Sequence, residues 1–191
     1  MTLRALLLCF FCGALAGCVN LKPQQDSVKL YVLGPNEFTQ PAKTSAASIY
    51  IARPNLPAYL DGKRLQYRHA DGEVRSLHTA RWAEPLQEGI ARTLAEFLIE
   101  SSDRRVSGFY PWPKQSMGDM ELRVHFHKLG AMADGEIQMV AKWELLGSKA
   151  IERSGTYRSQ DIQWRLGDAE SLVAGFNQAI RQLALEVTGA L

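Results

Sequence analysis

The sequence predicts an α+β fold: a mostly antiparallel sheet with two amphipathic helices packed on one of its faces. Three observations predict it. Leu86 to Leu98 and Leu172 to Val187 repeat apolar residues at helical spacing. Met120 to Leu129 and Glu136 to Leu146 alternate apolar and polar residues with period two. Strand-like stretches precede each helix, so the chain order is strands, helix, strands, helix, with antiparallel neighbours.

Each element has its own signature. Val28 to Leu33 reads as a strand with Val28, Leu30 and Val32 on one side, and Gly34-Pro35 stops it. Asn36 to Ser45 is a loop. Ser48 to Ala52 is a second strand with Ile49 and Ile51 facing one way. From Arg53 to Leu60, Pro54 and Pro57 forbid regular pairing and bias Arg53 and Leu56 to extended conformations. Lys63 to Arg68 and Glu73 to Leu77 form a hairpin around Ala70-Asp71-Gly72, since Asp-Gly favours a tight turn.

Thr79 to Ser102 holds the first helix, with Pro85 in its first turn, where a missing N–H costs nothing. Leu86, Ile90, Leu94 and Phe97/Leu98 form its apolar stripe, and Glu88 and Arg92 stand at i,i+4 in the favourable order. Arg104 to Tyr110 has strand character and ends at Pro111 and Pro113. In the next strand Met120, Leu122, Val124 and Phe126 share one face, and Glu121, Arg123, His125 and His127 the other. Met132 to Gly135 turns the chain, after which Ile137, Met139, Ala141, Trp143 and Leu145 point inward. A further strand follows from Lys149 to Tyr157. Asp168 caps the last helix, Ala169 to Gly189, whose stripe is Leu172, Val173, Phe176, Ile180, Leu183, Ala184 and Val187.

The start of the chain is of another kind. Arg4 precedes an unbroken apolar run from Ala5 to Ala16, and Gly17 and Cys18 follow. A membrane-spanning helix needs about 20 apolar residues, and this run falls well short. It has the charged start, short apolar core and small-residue site of a secretory signal. Leu15-Ala16-Gly17-Cys18 resembles a bacterial lipobox, whose cysteine is acylated and becomes the new first residue. Residues 1–17 are then a lipoprotein signal peptide, 18–27 a lipidated tether, and 28–191 a single α+β domain. Cys9 and Cys12 form a C-x-x-C, but both lie inside the signal. Cys18 is left as the sole cysteine, carrying covalent acyl groups, and no intramolecular disulfide is possible. An exported chain of about 170 residues buries enough surface to be stable without one.

Composition narrows the function classes. Removing the signal takes away only Arg4, so Lys+Arg falls from 22 to 21 against 20 acids. The balance is nearly neutral and the signs are interspersed along the chain, so a nucleic-acid partner is not expected. Catalytic signatures are absent: there is no G-x-S-x-G, no H-E-x-x-H and no glycine-rich phosphate loop. His125 and His127, with Glu121 near them, make a metal site conceivable on one strand face, but neither a third ligand nor a second shell can be identified. No catalytic set and no cofactor is expected.

Several blocks taken in order carry a resemblance. Tyr31-Val32-Leu33-Gly34-Pro35 comes first, then Leu56-Pro57-Ala58-Tyr59-Leu60-Asp61 with Leu65-Gln66-Tyr67-Arg68, then Arg81-Trp82-Ala83-Glu84-Pro85-Leu86 opening a helix. Leu122-Arg123-Val124-His125-Phe126 and Ala141-Lys142-Trp143-Glu144-Leu145 follow. Behind a lipobox, this order resembles the ABC-type transport auxiliary lipoproteins of the PqiC family.

The resemblance implies a non-enzymatic accessory subunit of an intermembrane lipid transport system that supports envelope integrity. The implied partner is a periplasm-spanning protein with MCE domains, and the implied address is the periplasmic face of the outer membrane. Val19, in place of the aspartate that signals inner-membrane retention, agrees with that address. A homo-oligomer, even a closed ring, would suit such a platform. Pro57, Tyr59, Arg81 and Trp82 are the candidate partner contacts, chosen for their proline-bounded or helix-mouth setting. Two alternatives stay open at these residues: the loop folds back as a lid on the core, and Trp82 plugs it. Rival functions are a periplasmic lipoprotein hydrolase and a general envelope-assembly lipoprotein.

Overall fold

A computed structural model describes residues 27–35, 48–115, 120–148 and 150–191. The predicted signal, Cys18, most of the predicted tether and the predicted Asn36 to Ser45 loop lie outside the described residues. The elements are β1 (Lys29–Tyr31), β2 (Ser48–Ile51), a 3₁₀ turn at Ala58–Leu60, β3 (Arg64–Arg68), β4 (Val74–Trp82) and α1 (Leu86–Ser101). Then come β5 (Arg105–Phe109), β6 (Met120–Met132), β7 (Ile137–Leu146), β8 (Ile151–Arg158) and α2 (Ala169–Gly189).

The eight strands among the described residues join one mixed sheet organised on β6. Along one edge β6 pairs antiparallel with β7, which pairs antiparallel with β8. Its other edge is shared. The beginning of β6 pairs parallel with β2, and its end pairs parallel with β3. β5 extends the first branch, parallel to β2. β4 and then β1 extend the second, through an antiparallel β3–β4 hairpin and a parallel β4–β1 ladder. The long ladders are antiparallel and the short ones parallel, so the sheet is mostly antiparallel and the fold α+β.

Both helices sit on one face, and their stripes are those the periodicity predicts. Leu86, Ile90, Leu94, Phe97 and Leu98 of α1 are buried, as are Leu172, Val173, Phe176, Ile180, Leu183, Ala184 and Val187 of α2. They meet the inward residues of β6 and β7, from Leu122 to Ala131 and from Ile137 to Leu145. Asp168 caps α2 by accepting hydrogen bonds from the backbone N–H groups of Glu170 and Ser171. Gly175 lets α2 approach β7 closely: a Cβ there would stand 2.7 Å from Ile137 Cγ1.

Three differences from the sequence reading have physical reasons. Thr79 to Trp82 belongs to β4, since Ala80 and Trp82 alternate inward and Pro85 bars the helix from starting earlier. The apolar side of β1 is turned to solvent, with Leu30 66% and Val32 55% exposed, while Tyr31 and Leu33 pack on the core. In β6 a register shift between Phe126 and Lys128 inserts one residue, which returns Leu129 and Ala131 to the interior. The last strand is Ile151–Arg158, and Lys149, where the sequence predicts its start, lies outside the described residues.

Candidate docking surface

The proline-bounded segment fills the fork between β2 and β3. Pro54 is buried, and Asn55 forms a bridge to His125: its N–H donates to Val124 O at 3.0 Å, and its carbonyl accepts from Phe126 N–H at 2.9 Å. Leu56 packs half-buried on the core and Leu60 is buried. Pro57 opens the 3₁₀ turn, which is closed by Leu60 N–H donating to the Pro57 carbonyl and Asp61 N–H to that of Ala58, each at 3.0 Å. Much of the segment is therefore laid onto β6 as a cover.

Tyr59 is the large apolar side chain of the segment that stays outside. It is 39% exposed, and its hydroxyl donates to the Leu129 carbonyl at 2.8 Å. The ring thus has a fixed position at the mouth of a shallow recess lined by Leu60, Gln66, Tyr67, Arg68, Val74 and the end of β6. Beside it, Pro57 is half-buried. A second recess lies between Arg53 to Leu56 and Gln87 of α1.

The Arg81-Trp82 pair is split across the sheet. Trp82 is 4% exposed, with its ring 5.8 Å from that of Phe176 on α2. It is a core side chain, because β4 alternates and position 82 falls on the helix-bearing face. As a direct contact, then, the candidacy passes to its neighbour. Arg81 is half-buried on the opposite face, beside Leu30 of β1 and opposite Arg64 of β3. The structure gives Pro57 and Tyr59 one setting, against the end of β6, and Arg81 another, among β1, β4 and β3.

The sequence reading missed a polar cluster at the exit of β1. Arg92 of α1 donates to the Leu33 carbonyl at 2.8 Å and pairs with Glu84 and with Glu96, the latter at 3.0 Å. It is not directed to Glu88 as the i,i+4 spacing suggests. The next residue, Gly34, donates its N–H to Asn177 Oδ1 of α2 at 2.9 Å. Gly34 has φ +115, and a Cβ there would lie 2.8 Å from Glu96 Oε2 and 2.9 Å from Arg92 Nη1, so both conformation and space call for glycine. Burial works against the charged Arg92 guanidinium, but Glu84 and Glu96 outweigh it and hold its pKa above the ordinary value. Burial raises the Glu96 carboxyl, with Arg92 opposing. This cluster ties the Leu33-Gly34 and Glu84 blocks to both helices. Glycine followed by proline after a strand was the available sign of it, but nothing local points to Arg92.

His125 and His127 share the exposed face of β6, with ring centroids 4.6 Å apart. Neither lines the two recesses just described. Among the described residues no group of three or more His, Cys, Asp or Glu is arranged to hold a metal ion. No helix among them is long and apolar enough to cross a membrane.

Comparison with known proteins identifies the family. Residues 31–188 match the model of the ABC-type transport auxiliary lipoprotein component. No curated protein matches. Among solved structures, a Xanthomonas campestris protein, XCC0632, described as DUF330, has a TM-score of 0.61 and 18% identity, over 85% of this chain and 91% of that one. An uncharacterised protein gives a TM-score of 0.66 at 18% identity, over 85% of this chain and 98% of that one. At that identity the two structures speak to the fold alone, and it is the same fold. The match from Tyr31 to Thr188 runs from the last residue of β1 to the last turn of α2, and the chain belongs to the ABC-type transport auxiliary lipoprotein component family.

Proposed function

We propose that this chain is an outer-membrane lipoprotein, anchored through acyl groups on Cys18, that serves as a docking subunit of an intermembrane lipid transport system. The observation that carries the proposal is the family match over residues 31–188, standing behind a lipobox at Leu15 to Cys18. The family is that of a transport auxiliary component, which is not an enzyme family. The domain works by binding. Its partner is an MCE-domain protein that spans the periplasm, and a closed homo-oligomer provides the platform that the partner meets. No cofactor is used.

Tyr59 is the contact residue to test, because its ring is exposed yet held by the bond to the Leu129 carbonyl. Fixed aromatic side chains make strong interface anchors at low entropic cost. Tyr59→Ala is expected to reduce co-purification with the MCE protein about tenfold, on the scale of an interface hot spot of more than 1 kcal/mol. The melting temperature should stay within a few degrees of wild type, about what a partly exposed site implies. Unchanged capture, or loss of capture that only follows a loss of thermal stability, would remove Tyr59 from the docking surface.

A further inference from the structure

We propose that the face of the sheet turned away from both helices rests, at its β1 edge, on an anionic phospholipid surface. The proposal builds on the lipid-anchored reading above and adds a second, non-covalent contact to it. Cross-strand register assembles the surface. Leu30 of β1 stands beside Arg81 of β4, and Arg81 stands opposite Arg64 of β3. The next residues along these strands, Tyr31, Trp82 and Leu65, all point into the core, so the row itself points away from the helices.

Two guanidiniums directly opposite one another repel. Neither Arg64 nor Arg81 has an acidic partner within ion-pair distance among the described residues. The same face continues through Arg68 and Lys128, also without such partners. Of the acids on that face, Glu121 and Glu144 are paired with Arg123 and Lys142, and Glu136 accepts a hydrogen bond from Gln138, which leaves the four cations in excess. The face therefore carries uncompensated positive charge in a chain that is nearly neutral as a whole.

Position selects a membrane over an acidic protein as the occupant. The described chain begins at Ser27, just before β1, and the about nine residues back to Cys18 reach at most about 30 Å. The anchor thus keeps this edge near the leaflet. At the same edge Leu30 and Val32 present their side chains to solvent, 66% and 55% exposed. An acidic protein would satisfy the arginines and leave these two unexplained. A bilayer takes both: the arginines meet lipid phosphates, and the apolar pair enters the headgroup region.

The test uses the mature chain with Cys18→Ser, so that no acyl group contributes. It is sedimented with large vesicles of phosphatidylethanolamine and phosphatidylglycerol, and with vesicles of phosphatidylcholine alone. Binding to the anionic vesicles is expected, weakening several-fold as salt is raised. Arg64→Gln with Arg81→Gln should lower it about tenfold or more, given the contribution of each basic residue near an anionic leaflet. Arg64→Lys with Arg81→Lys should largely keep it, and all variants should melt near wild type. Equal binding to neutral and anionic vesicles, no binding at all, or unchanged binding in the glutamine variant would overturn the proposal. So would a glutamine variant that binds vesicles normally and loses only its protein partner, since the face would then be a protein interface. The lipid mass on Cys18 of the wild-type chain is measured separately, so the anchor reading can stand when this one falls.

Discussion

Replacing Cys18 with Ser is expected to abolish lipid anchoring of the chain. Cys9 and Cys12 lie in the segment predicted to be removed, so Cys18 is the only thiol available to carry lipid. A single acyl chain anchors only marginally, whereas several make the attachment durable. No helix among the described residues can take over, since none is long and apolar enough to cross a bilayer. Fractionation and intact mass provide the measurement. The variant should show no lipid mass shift and should either remain as unprocessed precursor or be released from the membrane into the periplasmic fraction by raised salt. A serine variant that is still processed, acylated and membrane-bound would contradict the lipobox assignment.

Trp82→Ala is expected to be strongly destabilising, for the reasons its surroundings give. The side chain is 4% exposed and its ring stands 5.8 Å from that of Phe176, where β4 meets α2. Truncating a buried tryptophan removes its transfer energy and leaves a cavity that the neighbours fill only in part, a cost of about 3–5 kcal/mol. In a domain of this size that corresponds to a fall in melting temperature of about 10 °C or more. Arg81→Gln, one residue earlier but on the other face of the sheet, should leave the melting temperature nearly unchanged. Thermal denaturation followed by circular dichroism checks both. Similar losses for the two would mean that β4 does not divide them between core and surface as described.

The contrast between Trp82 and Arg81 also shows what was legible in the sequence. Period and parity were: the stripe of α2, its Asp168 cap and the inward residues of β7 follow from local spacing, because long amphipathic elements have one face that must be buried. The side chosen by a short edge strand was not. Val28, Leu30 and Val32 read as an apolar face, yet parallel pairing with β4 puts Tyr31 level with Trp82 and so turns Leu30 outward. The Arg92 cluster was hidden for a different reason. It joins Leu33, Glu84 and Glu96 with Asn177 close by on α2, and contacts so far apart in sequence leave no local pattern.

Charge behaved similarly. Along the chain cations and acids are interspersed, but strands sort residues by parity, and the outward positions of β3, β4 and the end of β6 gather Arg64, Arg68, Arg81 and Lys128. Near neutrality of the whole therefore coexists with a basic sheet face. Among the candidate contacts, Pro57 and Tyr59 were found through prolines that interrupt pairing, a local signal. That Pro54 and Leu60 would be drawn into the core while Tyr59 stayed out depends on the fork in the sheet beside β6, which only the assembled topology reveals.

A docking subunit has to be recognised by what it binds in place. The most direct measurement is crosslinking in intact cells from a photoreactive residue at position 59, followed by identification of the captured protein. A periplasm-spanning MCE-domain protein, captured from lipidated chain in the outer membrane, is the predicted result. Capture of only unrelated envelope proteins, with the MCE protein absent, would contradict the assignment of this chain to intermembrane transport.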